Sequence, residues 1–115
     1  MYSKPTFIQG VQPFTGTGLD KVAPLANTLS YTVPNGRRAQ LIYFRAGNSS
    51  AEMIYIVLLR DGKPMRYFPI GAKSSTHVAL AVVEDMMSET LLEVAFAAPE
   101  GATGTVIIDI GLMEI

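Results

Sequence analysis

The sequence predicts an all-β fold: an antiparallel sandwich of two sheets with about seven to eight short strands, preceded by an extended N-terminal arm. Three observations predict it. Apolar residues recur with period two, and no stretch shows helical spacing behind a cap. Turn signals such as Pro34-Asn35-Gly36 and Asp61-Gly62 punctuate the chain at short intervals. The connections are too short for helical crossovers, so neighbouring strands run antiparallel. A chain of 115 residues supports one domain, read as an arm over 1–25 and a sandwich over 26–115.

The arm is rich in Pro, Gly, Thr and Gln. Pro5 and Pro13 block continuous helix, and Gly16-Thr17-Gly18 reads as a turn. Phe7, Ile8, Val11, Phe14 and Leu19 would be wasted on a floppy tail, so they are expected to dock on something, and they are the arm's candidate partner-binding residues. The first strand, Asn27 to Val33, places Leu29, Tyr31 and Val33 on one face and Thr28, Ser30 and Thr32 on the other. After the Pro34-Asn35-Gly36 turn, Ala39 to Ala46 is rich in residues that suit a pleated surface. Glu52 to Arg60 is apolar on both faces, as in a strand covered from both sides. Asp61-Gly62 closes a hairpin onto Met65 to Ile70, where Pro69 confines the strand to a sheet edge. Strands follow over Thr76 to Val83, Leu91 to Ala98 and Thr105 to Glu114, with Asp85 to Glu89 as a connection. In the last strand Val106, Ile108, Ile110 and Leu112 share one face, and Asp109 and Gly111 the other.

Composition argues against an active site. There are no cysteines, which removes thiol nucleophiles and Cys-based zinc sites, and His77 is the one histidine. The formal net charge of −1 counts against a nucleic-acid binder. No apolar run reaches the roughly 18 residues of a membrane span. The N-terminus lacks the pattern of a signal peptide, so a cytoplasmic origin is expected. With 49% hydrophobic and only 17% charged residues, apolar surface is expected to be covered by a partner or by copies of the chain.

Each candidate for chemistry has a plainer reading. His77 as a general base needs a nucleophile such as Ser74 or Ser75 and a carboxylate such as Glu84, Asp85 or Asp109. No nucleophile motif surrounds it, so it reads as a strand-end histidine. Glu84, Asp85 and Glu89 lack the spacing of a calcium loop and read as a solvated rim. Gly16-Thr17-Gly18-Leu19-Asp20 lacks the remaining parts of a phosphate cradle. Arg37, Arg38, Arg45, Arg60 and Arg66, interleaved with Tyr43, Phe44 and Tyr67, suit either stacked single-stranded nucleic acid or pairing with nearby carboxylates. The net charge favours pairing. Met86 and Met87 in a loop suit an adaptable protein contact or, equally, ordinary core filling. With Arg66 and Tyr67 they form a second expected partner-binding surface, at a loop and a sheet edge.

The stretch Tyr31-Thr32-Val33-Pro34-Asn35-Gly36-Arg37-Arg38-Ala39 resembles the Thr-Val-Pro-x-Gly-Lys/Arg-x-Ala opening of small jelly-roll structural proteins of tailed-phage virions. Arg45 to Ser50, Gly71 to Val78 and Gly104 to Ile115 resemble their later turns and closing strand. The resemblance spans residues 27–115 and leaves the arm outside. It implies a jelly-roll-like sandwich and a non-enzymatic capsid decoration or cement protein, made in a host cytoplasm and assembled into the virion. The implied partner is a major capsid protein or another virion protein. No catalytic residue, cofactor or metal comes with it, and neither nucleic acid nor membrane is an expected partner. Self-association as a dimer or trimer follows from the apolar sheet face. Two other functions compete. One is a tail, neck or receptor-type carbohydrate-binding module stacking sugars on Tyr43, Phe44, Tyr55, Tyr67 and Phe68, though the chain lacks Trp. The other is a small hydrolase using His77.

Overall fold

The computed structural model describes residues 3–25 and 29–115, with residues 81–83 described by their backbone alone. Ala26, Asn27 and Thr28 lie outside the described residues, so the expected start of the first strand and the expected arm–sandwich boundary fall there. Nine strands are described: β1 Lys4–Thr15, β2 Ala23–Pro24, β3 Ser30–Thr32, β4 Ala39–Asn48, β5 Ile54–Arg60, β6 Lys63–Ile70, β7 Ser74–Met86, β8 Leu91–Ala97 and β9 Thr103–Glu114. They form two antiparallel sheets, as expected. One has the order β1-β9-β4-β7 and the other β2-β8-β5-β6, with β3 also pairing β8. Consecutive strands alternate between the sheets except at β2–β3 and in the β5–β6 hairpin, and the first strand pairs with the last. This is the strand order of a jelly roll.

The hairpin forms because Asp61 and Gly62 both take positive φ, 51° and 82°. That backbone twist matches the twist of the flanking strands. β6 is the outer strand of its sheet, where the missing N–H of Pro69 breaks no inner ladder. The core lies between the sheets and is built from alternate residues. Leu41, Phe44, Ile56, Leu58, Leu92, Val94, Ile108, Ile110 and Leu112 are all buried. Phe44 of one sheet stacks on Phe68 of the other with centroids 4.0 Å apart. The Arg66–Glu84 pair at 3.4 Å joins edge strands β6 and β7 from opposite sheets and closes that side of the sandwich.

The expected arm is corrected in part. Residues 4–15 are extended but not free: they form β1 and pair with β9 along its whole length, from Lys4 opposite Glu114 to Thr15 opposite Thr103. The pleat then decides which side chains stay outside. Ile8 and Phe14 face inward and are buried, and Phe14 packs on Phe96 at 5.4 Å. Phe7, Val11 and Leu19 remain exposed. Met86 as a partner contact is a second correction, and the core-filling alternative is the one the structure takes. β7 runs three residues beyond the expected end, and Met86 is fully buried opposite Ala39, whereas Met87 is exposed. Tyr67 is exposed, and Arg66 is partly buried by its bridge to Glu84.

Candidate functional site

The outer face of the four-stranded sheet carries the densest set of organised polar groups among the described residues. Its origin is a register shift in β4 between Leu41 and Tyr43. Ala39 and Leu41 point inward. Without the shift Tyr43 and Arg45 would follow them. With it, Phe44, Ala46 and Asn48 are buried, and Tyr43, Arg45 and Gly47 move to the outer face.

Pairing then lays down rows across the sheet. Gln9, Asp109, Arg45 and His77 form one row, Val11, Ile107, Gly47 and Ser75 the next, and Phe7, Gly111, Tyr43 and Ala79 the row on the other side. Asp109 is the hub. Its carboxylate accepts from Gln9 Nε2 at 3.1 Å, from the Tyr43 hydroxyl at 3.0 Å and from Arg45 Nη2. The Arg45 guanidinium lies 5.4 Å from the Tyr43 ring centre, and the His77 ring meets Tyr43 edge-on at 6.2 Å. Tyr43 lies down on the sheet because Gly111 leaves room: a Cβ there would stand 2.0 Å from Cε2 of the ring.

The electrostatics follow from this geometry. The Arg45 hydrogen bond, helped by Gln9 and Tyr43, lowers the Asp109 pKa against an opposing desolvation effect. Desolvation, then the bond to Asp109, raises that of Tyr43. The hydrogen bond and charge of Asp109 raise that of Arg45. The hub is therefore a matched charge pair with its donors fixed in place.

Beside it runs an open trough of about 580 Å³ bounded by Arg45, Gly47, Ser75, Thr76, His77, Ile107 and Asp109. Gly47 is its floor, since no atom lies within 4 Å of where its Cβ would be. The trough continues into a second hollow of about 560 Å³ at Asn48, Ser49, Lys73, Ser74, Ser75 and Thr105. The side opposite Ile107 opens over Gln9 and Val11.

Of the residues expected to bind partners, Phe7 and Val11 border this face, whereas Ile8, Phe14 and Met86 belong to the interior. Leu19 and Tyr67 lie elsewhere, each in contact with Tyr55. On the other sheet Tyr67 packs against Tyr55 at 5.8 Å, and the Tyr55 hydroxyl donates to the Leu19 carbonyl at 2.7 Å. Of the expected sugar-stacking aromatics, Phe44 and Phe68 are spent on each other in the core. Among the described residues His77 has no hydrogen bond to a carboxylate. Glu84 pairs with Arg66, and Asp85 with Arg38 at 3.5 Å, while the Asp85 carbonyl accepts from Arg60. The arginines are thus dispersed, not gathered into a patch. The 16–20 segment is a loop, with Gly16 and Gly18 donating to the carbonyls of Ala102 and Ala98. Gln9, Gly47, Lys73 and Ile107 were not flagged by sequence. The alternation of β9 does turn Asp109 outward, but only the pairing shows what faces it.

Fold and face together define an antiparallel jelly-roll sandwich with an open, polar sheet surface. Among solved structures the chain is similar to the CBM36-1 domain of a multidomain xylanase from the hindgut metagenome of Trinervitermes trinervoides. The TM-score is 0.59 at 15% identity, over 96% of each chain. It also aligns with the insecticidal delta-endotoxin Cry8Ea1 of Bacillus thuringiensis (TM-score 0.49, 10% identity, 88% of this chain and 18% of the toxin). A third alignment is with PirA (TM-score 0.46, 13% identity, 96% and 94%). At such identities the first likeness is one of fold. No family model and no curated protein matches the chain.

Proposed function

We propose that the chain is a non-catalytic β-sandwich binding module that takes a carbohydrate chain in the trough on the open face of its four-stranded sheet. One observation carries this reading: the rigid Gln9–Tyr43–Arg45–Asp109 constellation stands beside a trough whose floor, at Gly47, has no side chain. A sugar ring has apolar C–H faces and a rim of hydroxyls. Ile107 and the Tyr43 ring suit the first; Asp109, Arg45, His77, Ser75 and Thr76 suit the second. Donors and acceptors already held by one another cost little entropy to present. The fold of the xylanase-borne carbohydrate-binding module lends support. The expected cement role rested on the resemblance over residues 27–115, on apolar surface and on the arm; of these, the arm's share is reduced, because residues 4–15 are an edge strand of the sandwich.

The test is retention of the protein by a panel of immobilised plant, fungal and bacterial polysaccharides, with Gly47→Phe as the blocked variant. The new side chain has open space to enter, so the fold persists while the trough fills. Retention by at least one polysaccharide, lost in Gly47→Phe, is expected. No retention, or equal retention of both proteins, would sink the proposal.

A further inference from the structure

We infer that the trough prefers an acidic polysaccharide, with a carboxylate or sulfate of the sugar chain seated at its Lys73 end. This rests on the carbohydrate reading above and names the ligand class for the same face. Three observations converge on it.

The first is continuity. The trough at Asp109 and Arg45 and the hollow at Lys73 share Gly47, Ser75 and Ile107. From the Arg45 row to Ser49 is four residues of extended chain, or about 13 Å at ~3.3 Å per residue. That leaves room for more than one sugar ring, so a chain engaged at Asp109 reaches Lys73.

The second is charge. Arg45 is matched by Asp109 within the trough. The ion pairs among the described residues are Arg38–Asp85, Arg45–Asp109 and Arg66–Glu84, and none uses Lys73. Lys73 is therefore an uncompensated cation of the groove, on a protein whose overall charge is −1. An anionic substituent is the complementary group.

The third is support for the lysine. Its backbone has φ 49°, and its N–H donates to the Ser50 carbonyl at 2.8 Å. The buried Asn48 ties the adjoining loops together: Nδ2 donates to the carbonyls of Glu52 at 2.9 Å and Gly71 at 3.1 Å, and Oδ1 accepts from Ser50 N–H. Ser49 Oγ accepts from Thr105 N–H at 2.8 Å, which leaves its own proton for a ligand oxygen. Lys73 thus stands on a braced loop end and lines the same hollow as the Ser49 hydroxyl.

Affinity electrophoresis tests this with four polysaccharide probes (unsubstituted xylan, glucuronate-bearing xylan, polygalacturonate and a sulfated galactan) and single-stranded DNA as a fifth, each at low and high salt. Wild-type protein is compared with Lys73→Met, which keeps the stem and removes the charge. Acidic probes should bind about three- to fivefold more tightly than unsubstituted xylan at low salt, the scale of one exposed ion pair. That margin, taken as the ratio of acidic to neutral binding for each protein, should vanish in Lys73→Met and at high salt. The carboxylated and sulfated probes show which anion the end takes. Equal binding of neutral and acidic chains would overturn the preference and leave the carbohydrate reading standing, as would a preference that survives Lys73→Met. Binding of no probe would overturn the preference, and the wider polysaccharide panel would then decide the carbohydrate reading. Tighter binding of single-stranded DNA than of any acidic polysaccharide would overturn the inference by showing a surface for polyanions of another class.

Discussion

Two glycines on the outer face of one sheet should respond to alanine in opposite directions. At Gly111 a Cβ would stand 2.0 Å from Cε2, 2.5 Å from Cδ2 and 2.8 Å from Cζ of Tyr43. The ring cannot tolerate that overlap and must swing off the sheet. Swinging gives up its bond to Asp109 and its seat beside the Arg45 guanidinium. Overpacking costs about 1–3 kcal/mol in general. Tyr43 is half-exposed and can move toward solvent, so Gly111→Ala should fall in the lower part of that range, about 1–2 kcal/mol. At Gly47 nothing lies within 4 Å and φ is not positive. Alanine there narrows the unfolded ensemble without strain and should stabilise by about 0.4–1 kcal/mol. The pair should therefore differ by about 2 kcal/mol, or roughly 8 °C in Tm at ~4 °C per kcal/mol. Urea unfolding gives the midpoints, and the Tyr43 ring resonances report whether the hydroxyl leaves Asp109. Equal stability of the two variants, or an unmoved Tyr43 in Gly111→Ala, would refute the argument that Gly111 is there to seat the ring.

Burial along β1 and β7 makes a second set of expectations. Ile8→Ala and Met86→Ala should each cost about 2–5 kcal/mol and Phe14→Ala about 3–5, whereas Phe7→Ala, Val11→Ala and Met87→Ala should stay within about 0.5; chemical denaturation of the six variants checks this. The acid limb of stability should depend on Asp109. Its folded pKa lies below the unfolded value of about 3.9, so its contribution is complete above that value and is lost as pH falls from about 4 through the folded pKa. Asp109→Asn should flatten that limb, as read from urea midpoints across acidic pH. Tyr43 works at the other end. Its pKa is raised, so its contribution is complete below about pH 10 and is lost as pH climbs through the higher folded value. Tyr43→Phe should remove that alkaline step.

Much of the fold was legible because burial writes itself along a strand. Val106, Ile108, Ile110 and Leu112 alternate with Asp109 and Gly111, and the structure buries the first set and turns Asp109 outward. Asp61-Gly62 specified its hairpin because few residue pairs accept positive φ twice in succession. The N-terminal segment misled for a reason. Its prolines and glycines read as a tether, but an edge strand tolerates proline, and β1 is an edge strand. Met86 misled because the acidic residues beside it looked like a loop, while the β7 ladder carries on through them.

The amino-acid order alone determined the all-β class, the main turns, most strand segments and the inward faces of the long alternating strands, since these depend on neighbours one to four positions apart. Tertiary structure decided the functional face. Asp109 stands 100 positions from Gln9, 66 from Tyr43 and 64 from Arg45. What brings them together is antiparallel pairing plus one register shift within the apolar run Leu41-Ile42-Tyr43-Phe44, where the chain itself does not mark which residue changes sides. Long-range register is fixed by how two sheets close over a shared core, and that information lies in the packing of the whole sandwich and in no single segment.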